Sequence, residues 1–300
     1  MATPTLKSND YDQDKTSFTL DTDDRYFIRE TAAYVKGTPA THADTVTVIV
    51  WFHGFFVNKR STLFNDVKNH EVKLLETLKA CPIKELIFIA PFMGYVQPVK
   101  EFVLDKNQQK IPILDKDKKP IPDKFREQNV GSPQYRAVEA QLGKAADSYL
   151  TKVLEGLANF LISKSVALTD STGKAASAFT IKNLIVACHS GGGVAMRAFV
   201  SGLGSANTAA LKGCWCFDCM YGDGDADFWF NRGKNAAPFY SYYWGTAKNS
   251  KRLLTLMGHP GQGEFTQAGA TLNVIDNSQK SHYRAASEGF AERLKNANLP

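Results

Sequence analysis

Residues 183–199 read NLIVACHSGGGVAMRAF. A buried-type apolar run reaches Ser190 and passes through three glycines into a helix start, with no room for an ordinary loop. A serine on so sharp a strand-to-helix turn projects its hydroxyl beyond the strand end. Small neighbours are needed there, because the turn brings backbone close to backbone.

The flanking sequence supplies strands and helices in alternation. Residues 45–52 (TVTVIVWF) form a continuous β-branched and aromatic run ended by His53 and Gly54, the pattern of a strand covered on both faces. Val67, Leu74, Leu75 and Leu78 recur at helical spacing, and Pro82 closes that element before the next apolar run, 85–90 (ELIFIA). A longer helical stripe (Val138, Leu142, Tyr149, Val153, Leu157, Leu161) occupies 133–163 and leads into a strand at 181–188. Further strands are expected at 213–218, 252–257 and 271–275, with helices near 225–232 and 283–294, and a short antiparallel start at 17–20 and 26–34.

Such alternation predicts an α/β fold, a mostly parallel central sheet flanked by helices, in one elaborated domain spanning 1–300. Ligand sites in such sheets lie outside the carboxyl ends of the strands. One segment interrupts the order: 104–113 (LDKNQQKIPI) and 114–123 (LDKDKKPIPD) form a pseudo-repeat whose prolines forbid a helix. The excursion at 97–131 is expected to be a small hairpin insertion, a cap or lid above the carboxyl edge.

Composition narrows the function. The chain has 300 residues, 43% hydrophobic, with a net charge of +6 spread without a basic block, so nucleic acid is not an expected partner. No apolar run is long enough to span a membrane. The first residues lack a signal-peptide core, so a cytoplasmic location is expected, or a secreted one if a signal was trimmed. Five cysteines are too few and odd in number for a disulfide framework. Cys214, Cys216 and Cys219 read as small buried hydrophobes, because strand geometry turns Cys219 away from the other two and spoils a zinc site. Asp223, Asp225 and Asp227 imitate a calcium loop, but Phe228 and Lys234 stand where it needs glycine and glutamate; they read as acids of a helix start. No metal and no cofactor are implied.

With Ser190, Gly191 and Gly192 in place, and Cys188 where the first glycine of G-x-S-x-G would be, the segment resembles the nucleophile elbow of the α/β-hydrolase superfamily, esterase- and lipase-like serine hydrolases. The resemblance runs from about Thr45 to Leu294. It implies Ser190 as nucleophile and a histidine placed last in the chain. His282 satisfies that order, following the 271–275 strand and preceding a helix, while His259 is its rival. For the third member, Asp218 ends a buried strand where an unpaired carboxylate is costly; Glu264, Asp223 and Asp276 are the alternatives. The oxyanion donors implied are the amides of Phe55 and Gly191, with His53 and Gly54 matching the His-Gly of esterases.

The chemistry expected is hydrolysis of a carboxylic ester, small or polymeric, through an acyl-enzyme. His53, Phe56 and Tyr221 are expected to contact substrate. An amidase or peptidase with the same triad, or a non-catalytic binding module on the same fold, are the alternative readings. The oligomeric state is not legible.

Overall fold

The computed structural model describes residues 19–21, 25–28, 31–36, 41–54, 65–66, 72–93, 99–130, 133–233, 237–260, 265–266, 272–276 and 281–297. The expected strands at 45–52, 85–90, 181–188, 213–218 and 271–275 are present as Thr45–Phe52, Leu86–Pro91, Thr180–His189, Leu211–Phe217 and Leu272–Asp276. They pair parallel in one sheet, whose order is Leu86–Pro91, Thr45–Phe52, Thr180–His189, Leu211–Phe217, Phe239–Tyr243, Leu272–Asp276. Antiparallel strands flank it: Thr19–Asp21, Arg25–Ile28 and Thr31–Lys36 on one side, Phe265–Thr266 on the other.

Side-chain alternation assigns the two faces. Val46, Val48, Val50, Leu184, Val186 and Cys216 pack with Leu150, Leu157, Phe199 and Leu253 of the helices Ala146–Ser163, Gly193–Ser201 and Ala247–Leu256. Ile49, Trp51, Phe88, Ala187 and Phe217 face Leu74, Leu78, Phe290 and Leu294 of the helices Leu74–Ala80 and His282–Asn296. Each central strand is therefore buried on both sides, which explains its continuous apolar run. Phe290 anchors the last helix at ring distances of 5.2 Å from Trp51 and 6.1 Å from Phe217. Gly289 permits this approach: a Cβ there would lie 2.8 Å from the Phe217 ring and 3.0 Å from that of Tyr242.

One expectation is corrected. Residues 252–257 are not a strand; they belong to the helix Ala247–Leu256, and the strand of that region is Phe239–Tyr243. The buried Ser250, Leu253 and Leu254 recur at i, i+3 and i+4, a helical spacing, whereas the aromatic run FYSYY carries the β preference. The stripe at 133–163 is likewise two helices, Pro133–Lys144 and Ala146–Ser163, separated at Ala145.

The excursion forms two antiparallel pairs, Val99–Phe102 with Glu127–Val130 and Pro112–Leu114 with Pro120–Phe125. The pseudo-repeat has a structural meaning. Asp105 accepts the amides of Asn107 and Gln109, Asp115 those of Asp117 and Lys119, and the residue three places after each aspartate, Gln108 or Lys118, has φ 63°. Both copies are the same aspartate-anchored turn.

Candidate active site

The chain passes from Thr45–Phe52 outward to Leu86–Pro91 and then crosses to Thr180–His189 on the other side, so the strand order reverses between Thr45–Phe52 and Thr180–His189. Two carboxyl ends diverge there and leave a crevice. Ser190 stands at that point, half-buried, with φ 52°. A non-glycine residue in this left-handed region is strained, and the surroundings hold it. The glycines are explained by contact. A Cβ on Gly192 would lie 2.3 Å from the Phe52 carbonyl oxygen, one on Gly193 2.3 Å from that of Cys219, and one on Gly54 2.8 Å from the Ser190 Cβ. Gly191 is in the first helical turn after the serine, where backbone N–H groups have no intrahelical acceptor.

The next strand, Leu211–Phe217, delivers Asp218, fully buried and also left-handed at φ 48°. Its carboxylate accepts the Trp244 amide at 2.9 Å, the Gly245 amide at 3.0 Å, and the amide and hydroxyl of Thr246, both at 2.8 Å. These donors sit in the loop after Phe239–Tyr243. His282, the first residue of the last helix, donates from Nδ1 to Asp218 Oδ2 at 2.6 Å. Burial alone would raise the pKa of Asp218, but the His282 bond and the three backbone amides outweigh it and hold the carboxyl well below the usual range. Asp218 is thus an ionised acceptor that fixes the imidazole tautomer, with the proton on Nδ1 and the lone pair on Nε2.

A mostly parallel sheet with a strained serine at its switch point, and Asp218 and His282 following in chain order on later strand ends, decides the architecture. This is the α/β-hydrolase fold. No protein-family model matches the sequence, and no curated protein matches it. Among solved structures, the chain is similar to a feruloyl esterase module from Clostridium thermocellum, at 10% identity over 93% of this chain and 86% of that one, with a TM-score of 0.47. It is also similar to a siderophore hydrolase from Aspergillus nidulans (9% identity, all of both chains, TM-score 0.42). A third is a poly(3-hydroxybutyrate) depolymerase from Bordetella parapertussis, with 12% identity over 99% of this chain and 97% of that one and a TM-score of 0.39.

Of the other expected site residues, Tyr221 lies beside Ser190, whose side chain acts on the phenol hydroxyl. Burial and the Asp218 charge push that hydroxyl up to about 12, so it stays a neutral phenol, while the residue remains 55% exposed. His53, expected to contact substrate, is 1% exposed and spends both ring nitrogens on backbone, donating from Nδ1 to the Gly54 carbonyl at 2.6 Å and accepting the Met93 amide at Nε2 at 3.0 Å. It braces the two loops that leave Thr45–Phe52 and Leu86–Pro91. Phe55, Phe56 and Glu264 lie outside the described residues. Asp223 pairs with Lys248 at the surface, and His259 follows a helix rather than a strand. Asp225 and Asp227 do open a helix, with Asp225 bound to Arg197 at 2.7 Å.

Three features were not read from the sequence. His189 packs against His282, with their ring centroids 4.4 Å apart. The Trp244–Thr246 donors depend on the strand that was misplaced. Cys216 and Cys219 form a disulfide rather than two independent buried thiols, because the turn at Asp218 folds Cys219 back toward Cys216. Among the described residues, the groove lined by Thr45, Thr47, Lys84, Glu85, Lys182 and Asn183 is at the opposite, amino-terminal edge of the sheet and takes no part in this site.

Proposed function

We propose that the chain is a serine hydrolase that cleaves carboxylic esters through an acyl-enzyme, with Ser190 as nucleophile, His282 as general base and Asp218 as the acid that orients it. The observation that carries this reading is the 2.6 Å bond from His282 Nδ1 to a fully buried Asp218 carboxylate, in a site whose serine sits strained on an elbow. A buried carboxylate with four further donors has little other use for an imidazole than to hold its tautomer.

In the proposed cycle, Ser190 Oγ attacks the ester carbonyl carbon while His282 Nε2 takes its proton. The amides of Gly191 and Phe55 bind the carbonyl oxygen as it becomes negative. The imidazolium then protonates the departing alcohol oxygen, leaving the acyl group on Ser190. Water attacks that acyl group, Nε2 receives the water proton, and the carboxylic acid leaves as the proton returns to Ser190. Asp218 stays ionised throughout and stabilises the imidazolium. Tyr221, exposed beside Ser190, is the proposed substrate contact at the mouth.

The test is hydrolysis of p-nitrophenyl acetate, butyrate and octanoate by wild type, Ser190→Ala and His282→Ala, with circular dichroism showing each folded. Turnover by wild type with near-complete loss in both variants supports the reading. Full activity in Ser190→Ala sinks it.

A further inference from the structure

The triad acid is enclosed by a disulfide. Cys216 and Cys219 are bridged across three positions of sequence, and Asp218 lies inside the ring so formed. Cys216 is the penultimate residue of the strand Leu211–Phe217 and pairs in register with Cys188 on the neighbouring strand that leads into Ser190. The Sγ atoms of Cys188, Cys216 and Cys219 all lie within 4.8 Å of one another, and the three residues are 0, 0 and 3% exposed.

Two uses of three such sulfurs compete, and charge decides between them. Three thiolates around a cation would concentrate negative charge in an apolar layer one residue from the ionised Asp218, a costly arrangement. A disulfide beside a protonated thiol carries no charge. Burial drives the Cys188 thiol well above its ordinary value, so it stays protonated and does not attack the bridge. The oxidised pair is therefore the natural resting state of the cluster.

The bridge also falls where backbone strain is stored. Asp218 has φ 48°, which a non-glycine residue holds only under constraint, and its carboxylate reaches His282 and the Trp244–Thr246 donors from that conformation. Bridging Cys216 to Cys219, with Cα atoms 5.7 Å apart, closes the chain tightly around Asp218. The same turn abuts the nucleophile helix, since the Cys219 carbonyl fills the space a Gly193 Cβ would need.

We propose that Cys216 and Cys219 are positioning residues for the triad acid, and that their disulfide makes turnover depend on redox state. The inference rests on the triad reading given above. Opening the bridge takes an external dithiol: one thiolate attacks a bridge sulfur, the S–S bond breaks and frees one cysteine while the other is held in a mixed disulfide, and the second thiol of the dithiol attacks its own bound sulfur and displaces that remaining cysteine. Two electrons and two protons end on Cys216 and Cys219, and the dithiol leaves as its own disulfide. The released turn no longer holds Asp218 left-handed, and the imidazole loses its fixed tautomer for part of the time.

The experiment uses the whole chain purified without reductant. Alkylation and peptide mapping count the free thiols before and after dithiothreitol, while kcat and KM for p-nitrophenyl butyrate and the circular dichroism spectrum are recorded in parallel. Cys216 and Cys219 should resist alkylation at first. After reduction kcat should fall on the order of tenfold with KM changed by less than about twofold, and reoxidation should restore it. The variant C216A/C219A should start at the lowered kcat and ignore dithiothreitol. A merely structural bridge would move the melting temperature without this split between kcat and KM. Reduced, alkylated wild type with unchanged kcat overturns the proposal, as does a double variant with full kcat. If the variant does not fold, the wild-type titration decides; if the wild-type bridge resists reduction, the variant decides. Retained activity in Ser190→Ala would instead remove the triad reading, and the thiol map, which needs no activity, separates that failure from this one.

Discussion

The rings of His189 and His282 lie 4.4 Å apart at an interplanar angle of 36°, and His189 Nε2 donates to the His282 carbonyl oxygen at 3.2 Å. His189 therefore holds His282 by ring and by backbone. His189 is 1% exposed, so its ring has no freedom to leave this contact. Asp218 fixes one edge of the imidazole and His189 packs beside it, which restricts rotation of a side chain that is itself 21% exposed.

The first prediction concerns that contact. His189→Ala removes both the ring and the donor, so kcat should fall by about tenfold while KM stays within about twofold. His189→Phe keeps a ring and loses the donor, and should recover part of the loss. Steady-state kinetics on p-nitrophenyl butyrate check this; equal kcat in all three proteins would show that the stack does not position the base.

Asp218→Asn should lower kcat by roughly three to four orders of magnitude without unfolding the chain, since the amide cannot hold the Nδ1–H tautomer. Its stability effect has a definite sign. The folded-state pKa of Asp218 is below the unfolded value, so its contribution is fully present above about pH 4 and is lost as pH falls through the folded value. Urea unfolding of wild type and Asp218→Asn should show a gap that shrinks as pH falls below about 4. A gap that widens as pH falls below about 4 contradicts the assignment.

Gly289 offers a test of how the fold places His282. In an exposed helix interior, glycine to alanine stabilises by about 1 kcal/mol. Here the added Cβ meets the Phe217 ring at 2.8 Å, so Gly289→Ala should instead destabilise by about 1–3 kcal/mol and lower kcat as the helix is pushed off the sheet. Thermal unfolding and the same ester assay measure both; a stabilised variant would mean that the helix end is not held by this contact.

The strands that were legible were those whose whole apolar run is buried, such as Thr45–Phe52 and Thr180–His189, because burial on both faces leaves an unambiguous local signal. Phe239–Tyr243 was missed because its tyrosines and serine dilute hydrophobicity, and the Leu253-Leu254 pair drew the assignment onto a helix. That exchange bears on the site. With the strand misplaced, Glu264 competes as the acid after the penultimate strand, whereas the loop that truly follows it, Trp244–Thr246, holds no carboxylate and instead supplies donors to Asp218. The role of His189 and the Cys216–Cys219 bridge were illegible for another reason. Both depend on which strand ends lie side by side and on left-handed turns at Ser190 and Asp218, and non-glycine residues give no local sign of such turns.

The most direct test of the central claim is covalent labelling of the folded protein with a fluorophosphonate probe, followed by peptide mass mapping. A single adduct on Ser190 is expected, absent in Ser190→Ala and formed slower by about three orders of magnitude in His282→Ala. An unlabelled wild type, or an adduct on any other residue with Ser190 untouched, would contradict it.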